Sequence, residues 1–198
     1  MWKGESIESF GLISTCSSYF GHFSSTIEGG MLTTDNEQIY NIAKQLRSHG
    51  WERDLDAKEK DRLREKWNVG GFNALYTFYS TGFNLRSTDI NAFLGIWQLV
   101  KQKDIAEKRN KNYLLFNELI DAKYWRPVVN NNAFVSNLGY PIISPHREKI
   151  VSALMAGGVE VRPLISGSMG MQPFWIEKYG ALKLQNVSVI DEQGFYIP

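Results

Sequence analysis

The sequence has 198 residues, 43% hydrophobic and 22% charged, with 22 Lys and Arg against 21 Asp and Glu and a formal net charge of +1. That balance offers no long-range field to draw in nucleic acid or anionic lipid, and the bases are interleaved with acids rather than blocked together. The single cysteine, Cys16, excludes an internal disulfide framework, and three histidines (His22, His49, His146) outside any ligand spacing argue against a metal site.

No run of eighteen apolar residues occurs, and "MWKGESIESFG" has no leader pattern. The expectation is therefore a cytoplasmic protein of one or two domains, with neither nucleic acid nor membrane as partner. In chain order, "FGLISTCSSY" opens apolar and β-branched, which predicts a short buried strand. A glycine turn in "EGGMLTTD" leads to a second short strand. Thr34 and Glu37 have capping-box spacing. Behind them Ile39, Ile42, Ala43 and Leu46 fall on one face of a helix. Lys44, Arg47 and His49 suit its negative end, and Gly50 its C′ stop.

"WERDLDAKEKDRLREKW" is dense in charge of mixed sign and reads as a solvated segment or short helix. "WNVGGFNALYTFYSTGFNLRSTD" has no period and predicts a long loop, a type that is often functional. Ser87 or Thr88 can cap the next helix, where Ile90, Phe93, Leu94 and Trp97 share a face. "KDIAEKRNKNYLLFNELIDA" predicts a further long helix.

From Ala133 the texture becomes strand, helix, strand. "AFVSNLGYPII" is strand-like, and Ser144 can cap a helix that has Pro145 at its first position. Ile150, Val151, Leu154 and Met155 form that helix's apolar stripe, Gly157-Gly158 ends it, and "VEVRPLI" returns as a strand. A domain change is expected between about residues 104 and 133. Both ends read as cut, since Met1 leads almost directly into a strand and "GFYIP" stops inside an apolar stretch.

Four stretches carry a resemblance: "SSYFGHFSSTIEGGMLTTD", "QLRSHGW", "GFNLRSTDINAFLGIWQL" and "GVEVRPLISGSMGMQPF". In order and spacing they resemble the DegT/DnrJ/StrS group, nucleotide-sugar aminotransferases and dehydratases of the aspartate-aminotransferase (fold type I) superfamily. The resemblance implies an α/β fold. Residues 1–104 would be the second part of the large cofactor-binding domain, and residues 105–198 a small C-terminal α/β domain, incomplete at its end. Family chains are about twice as long, so the earlier half of the large domain is expected to be missing. A lone chain of this kind should be poorly soluble or an obligate partner of something else.

In the aminotransferases of this group, the position six before the Glu of "EGG" is the lysine that forms a Schiff base with pyridoxal phosphate. Here that position is His22, and no lysine lies between Lys3 and Lys44. Imidazole has no primary amine to make the link. A lone histidine in a polar turn is ordinarily structural, but its place inside the motif resembles the 3-dehydratases that make 3,6-dideoxysugars. These hold pyridoxamine phosphate without a covalent bond. His22 would be their acid–base residue, acting on a nucleotide-linked 4-keto-6-deoxysugar in surface polysaccharide, lipopolysaccharide or deoxysugar synthesis. The "GHF" here departs from the "HH" pair of such dehydratases, with Phe23 in the second place.

By the same resemblance Ser17 donates to the cofactor phosphate, and Asn84 reaches the phosphate of the cofactor in a dimer partner. The active form would then be a homodimer with shared sites. Arg162 matches a family arginine on the substrate side, although an arginine on an exposed strand end is common. Where the family often reads "GN-x-x-RQP", this chain reads "GSMGMQP", with Ser168 and Met171 in the places of Asn and Arg. Two alternatives stand beside the dehydratase: a sugar 4- or 3-aminotransferase homologue without proven activity, and a truncated, non-catalytic dimerising remnant.

Overall fold

Backbone hydrogen bonds place the first two strands in an antiparallel pair, β1 (Ser14–Ser17) with β2 (Gly30–Thr33), in a register that sets Ser14 opposite Thr33 and Ser17 opposite Gly30. The computed structural model describes all 198 residues. It divides into two units, Trp2–Lys103 and Asp104–Pro198, with Met1 grouped with the second.

The β1–β2 hairpin differs from the expected buried strand. Cys16, Met31 and Leu32 are exposed. Helix α1 (Glu37–Arg47) is capped by Asn36 rather than Thr34: the Asn36 Oδ1 accepts from the Ile39 N–H at 3.0 Å. Thr34 lies two residues too early. Its hydroxyl donates to the Leu12 carbonyl at 2.7 Å and accepts from the Asn36 N–H at 3.1 Å. The C-terminus also shifts by one residue. His49 (φ +58°) takes the left-handed position, and the Gly50 N–H closes the final turn on the Gln45 carbonyl at 2.8 Å.

The buried side chains of α1 are Asn41 and Gln45, while Ile42 of the expected apolar stripe is exposed and Ile39 and Leu46 are half-buried. Helix α2 (Ala57–Trp67) runs from the N-cap Asp56, whose carboxylate accepts from the Glu59 N–H at 2.9 Å, to Asn68 in the left-handed region. Only a single 3₁₀ turn, Asn73–Tyr76, interrupts the following loop.

The two helices expected after residue 88 are one. Helix α3 (Asp89–Leu119) continues for 31 residues because neither glycine nor proline falls between Trp97 and Leu119. It starts at a reciprocal cap in which the Thr88 N–H donates to Asn91 Oδ1 at 3.1 Å and the Asn91 N–H donates back to Thr88 Oγ1 at 3.4 Å.

In the Asp104–Pro198 unit, β3 (Tyr140–Ile143), helix α4 (Arg147–Ala156), edge strand β4 (Arg162–Pro163), helices α5 (Pro173–Tyr179) and α6 (Gln185–Gln193) and strand β5 (Gly194–Ile197) follow in order. The sheet order is β3-β5-β4, all antiparallel, with Ile142 opposite Phe195 and Arg162 opposite Tyr196. Pro163 suits an edge because it has no N–H to donate. Helix α4 starts after Pro145: the Ser144 hydroxyl accepts from the His146 N–H at 3.1 Å, so Ser144 and Pro145 form the turn before the helix.

Ile150, Val151 and Leu154 pack on the core as expected, whereas Met155 is exposed. That core is Tyr113, Tyr140, Ile142 and Phe195. The Tyr140 hydroxyl donates to Asn117 Oδ1 at 2.6 Å, so the ring is buried without stranding its polar end. No helix is long and apolar enough to cross a membrane.

Candidate active site

Ser17 ends β1 and His22 lies in the connection to β2. Three backbone bonds shape that connection: Ser18 N–H to Gly29 O at 2.9 Å, Phe20 N–H to Ile27 O at 2.9 Å, and Thr26 N–H to Ser18 O at 2.8 Å. The Asn91 side chain on α3 donates to the Thr26 carbonyl at 2.7 Å, and a Cβ at Gly95 would press on the Thr26 methyl at 3.2 Å. The connection is thus fixed on the first turns of α3, and Gly95 permits the close approach.

His22 is exposed. Its ring meets Tyr19 edge-on at 5.5 Å between centroids, and its N–H bonds the Tyr19 carbonyl at 2.9 Å. Neither imidazole nitrogen makes a hydrogen bond within the chain, which leaves both open to a ligand. The Ser17 hydroxyl accepts from the Tyr19 N–H at 3.3 Å and faces solvent. Two residues after His22, the Ser24 hydroxyl is shielded from solvent and has no partner among the chain's own groups. That orphaned hydroxyl, in the same connection as His22, has a hydrogen bond to give to a group brought in from outside, a phosphate among them.

Asn84 sits in a segment laced to the end of α1. The Phe83 N–H donates to Leu46 O, the His49 N–H to Phe83 O, each at 2.7 Å, and the Leu85 N–H to Arg47 O at 2.9 Å. Side chains at Gly50 and Gly82 would run into this contact: a Cβ on Gly50 (φ +84°) meets the Ser80 carbonyl, and one on Gly82 meets the Gly50 nitrogen. The Asn84 side chain is exposed and its Oδ1 accepts from Arg86 Nε at 3.2 Å. Arg86 also stands 5.8 Å from the Trp51 ring centroid.

The charged segment, expected to be solvated, holds a buried group. Glu52 is only 4% exposed. It takes a bidentate contact from Arg64, with Nε at 2.9 and 3.1 Å from its two oxygens, and the Tyr79 hydroxyl at 2.9 Å. Burial first, and then the Glu52 carboxylate, push the Tyr79 pKa up to about 12. The cluster ties the loop containing Tyr79 to the segment after α1. The one signal for it in the sequence was Trp51 beside Glu52, an aromatic that would bury its neighbour. Arg53 stacks on that indole at 3.8 Å.

Arg162 belongs to the Asp104–Pro198 unit. Its guanidinium is paired with Glu160 at 2.5 Å, a bond that raises its pKa further, and it is exposed. It borders a cavity of ≈ 300 Å³ together with Arg147, Val151, Val161, Asp191 and Phe195. The departed "GSMGMQP" stretch is pinned nearby: the Ser168 N–H donates to Asp191 Oδ1 at 3.0 Å, and Ser168 is 3% exposed. Ser168 is therefore buried within this unit. Ser17 and His22 share one hairpin, Asn84 lies on a separate segment of the same unit, and Arg162 lies on the other unit.

A family model described as the DegT/DnrJ/EryC1/StrS aminotransferase family matches residues 1–198. The chain belongs to that family. It is 32% identical over 203 residues to a GDP-4-keto-6-deoxy-D-mannose 3-dehydratase of Yersinia pseudotuberculosis, covering 98% of this chain and 51% of the relative. A protein of the same name from Escherichia coli O55:H7 is 28% identical over 196 residues, 95% of this chain and 50% of the relative.

The solved structure of the E. coli GDP-4-keto-6-deoxy-D-mannose-3-dehydratase with bound hydrated PLP superposes with a TM-score of 0.81 at 25% identity, over 100% of this chain and 52% of that one. The fold is accordingly the α/β fold of type I pyridoxal-phosphate-dependent enzymes. The chain spans about half the length of the curated relatives it matches.

Proposed function

We propose that this chain carries the acid–base half of a nucleotide-sugar 3-dehydratase site, acting on a nucleotide-linked 4-keto-6-deoxysugar with pyridoxal or pyridoxamine phosphate held non-covalently. The observation that supports it best is His22, free at both ring nitrogens, at the position where the family's aminotransferases have lysine. Relatives at 32% and 28% identity bear a GDP-4-keto-6-deoxy-D-mannose 3-dehydratase name. The cofactor, once bound, supplies the electron sink that lets the C3 hydroxyl leave.

His22 removes the proton that starts the elimination and returns a proton to the departing C3 oxygen. Ser17 and Ser24 donate to the cofactor phosphate. Asn84 donates to the phosphate of the cofactor in a dimer partner, so two chains share each site. Arg162, on an edge strand, meets an anionic part of the sugar nucleotide. Under this reading the Trp2–Lys103 unit is part of the large cofactor-binding domain and the Asp104–Pro198 unit is the small domain.

The test supplies this chain, assembled with the portion of the fold that the relatives have and it does not span, with pyridoxamine phosphate and GDP-4-keto-6-deoxymannose. A sugar product lighter by one oxygen is expected, with the cofactor amine released as ammonia and the cofactor left as its aldehyde. His22→Asn should slow its formation by about 100-fold or more while cofactor still binds. An unchanged rate in His22→Asn would remove the assigned role.

A further inference from the structure

Asn84 stands in the loop between α2 and α3, where the 3₁₀ turn Asn73–Tyr76 is the only regular element. A loop of that kind does not hold one side chain in place by itself. Its course from residue 78 to 85 is set by the end of α1 and the segment after it. The Tyr79 N–H donates to the Gly50 carbonyl at 2.8 Å. Trp51 forms an isolated antiparallel bridge with Phe78, and Ser48 forms another with Asn84 itself.

Two carboxylates of "WERDLD" hold the two sides of this contact. Asp54 holds the α1 side, accepting from Arg47 Nη2 at 2.8 Å and from the Ser48 hydroxyl at 3.2 Å. Glu52 holds the loop side. It accepts from the Tyr79 hydroxyl at 2.9 Å while Arg64 of α2 grips both its oxygens. A buried carboxylate paired in this way adds little stability that apolar packing of the same volume would not give. What it does add is direction, because only one placement of the phenol satisfies carboxylate and guanidinium together.

We infer that Glu52 is a positioning residue for Asn84: by fixing Tyr79 it sets where the 78–85 segment lies on the end of α1, and so where the Asn84 amide meets a phosphate. Between Tyr79 and Asn84 the chain has little room to absorb a shift, since Gly82 is packed so closely on the His49–Gly50 backbone that a Cβ there would collide with it. Without Glu52 the phenol and the guanidinium lose their shared acceptor, and the segment loses its one side-chain anchor to α2. The inference rests on the phosphate role proposed for Asn84 and deepens it.

The assembled protein, this chain with the portion of the fold that the relatives have and it does not span, is titrated with pyridoxal phosphate and with pyridoxal. The ratio of the two dissociation constants isolates what the phosphate contributes. Asn84→Ala should lower that ratio by about ten-fold. Glu52→Ala should lower it by at least about five-fold, with pyridoxal binding itself within about two-fold of wild type. The double variant should lose no more than Asn84→Ala alone, because both changes remove the same contact. Tyr79→Phe, which removes only the hydroxyl, should lower the ratio by about three-fold, and it decides the matter if Glu52→Ala fails to fold. A ratio that stays at the wild-type value in Glu52→Ala or Tyr79→Phe would overturn the inference. Equal weakening of both ligands would do so too, by marking a general loss of structure, and so would losses that add in the double variant. A wild-type ratio in Asn84→Ala would instead remove the phosphate role of Asn84 and this inference with it, so the two failures are told apart.

Discussion

In the Asp104–Pro198 unit the residues that lose solvent are aromatic and aliphatic: Tyr113, Tyr140, Ile142 and Phe195 are between 1% and 8% exposed. In the Trp2–Lys103 unit Asn41, Gln45, Ser48 and Glu52 are buried, and Ile42, Ile90, Phe93 and Trp97 are open. The apolar periodicities of the two regions are equally clear in the sequence. Periodicity therefore reports which face is meant to be covered, while the cover itself depends on what else is folded against it. Where β5 and α4 meet α3's last turns, the cover is present in the chain.

Substitutions sharpen that contrast. The largest effect is expected from Phe195→Ala, which removes a ring from the packed core and should destabilise the Asp104–Pro198 unit by about 3–5 kcal/mol in chemical denaturation. Glu52→Ala would leave Arg64 and the Tyr79 hydroxyl without their shared acceptor. Because the Arg64 side chain is 35% exposed, the cost should be about 2 kcal/mol, below that of a fully buried pair.

The same cluster gives a pH signature. The folded Tyr79 pKa, about 12, lies above the ordinary phenol value of 10.0, so the folded state holds this proton longer than the unfolded one. The corresponding stability is fully present below pH 10, and is lost as pH rises through about 12. Denaturation of Glu52→Gln should show a shallower loss across that window, since the hydrogen bond to the carboxylate is gone and only burial still raises the phenol. An identical slope in wild type and variant would show that the carboxylate does not act on Tyr79.

Asn36→Ala removes the cap of α1 and should cost about 1 kcal/mol, read as faster amide exchange at Ile39. Smallest of all, Phe93→Ala should change the stability of the chain alone by less than about 0.5 kcal/mol, against the several expected for the same kind of truncation at Phe195. Equal costs at the two phenylalanines would break the contrast between the units.

Legibility in the sequence followed the range of the interactions. Local signals were readable: the Gly157-Gly158 stop of α4, Thr88 as the α3 cap, and the glycine turn before β2. Caps shifted by one or two residues where a better-placed oxygen competed, as Asn36 did against Thr34. The two helices expected after residue 88 join into α3 because no glycine or proline stands between Trp97 and Leu119 to stop the first. Glu52 was illegible for a different reason. Its burial depends on Arg64 and Tyr79, 12 and 27 residues away, and charge alone reads as solvation. His22 was legible only as a member of a motif, and its free nitrogens and the orphaned Ser24 hydroxyl came from the structure.

The most direct measurement of the central claim is borohydride reduction of the assembled protein in the presence of pyridoxal phosphate, followed by peptide mass. Wild type should bind the cofactor and give no reduced lysine adduct, and His22→Lys should gain one at residue 22. A reduced adduct on any lysine of the wild-type chain, or a folded, cofactor-binding His22→Lys protein without one, would contradict the account.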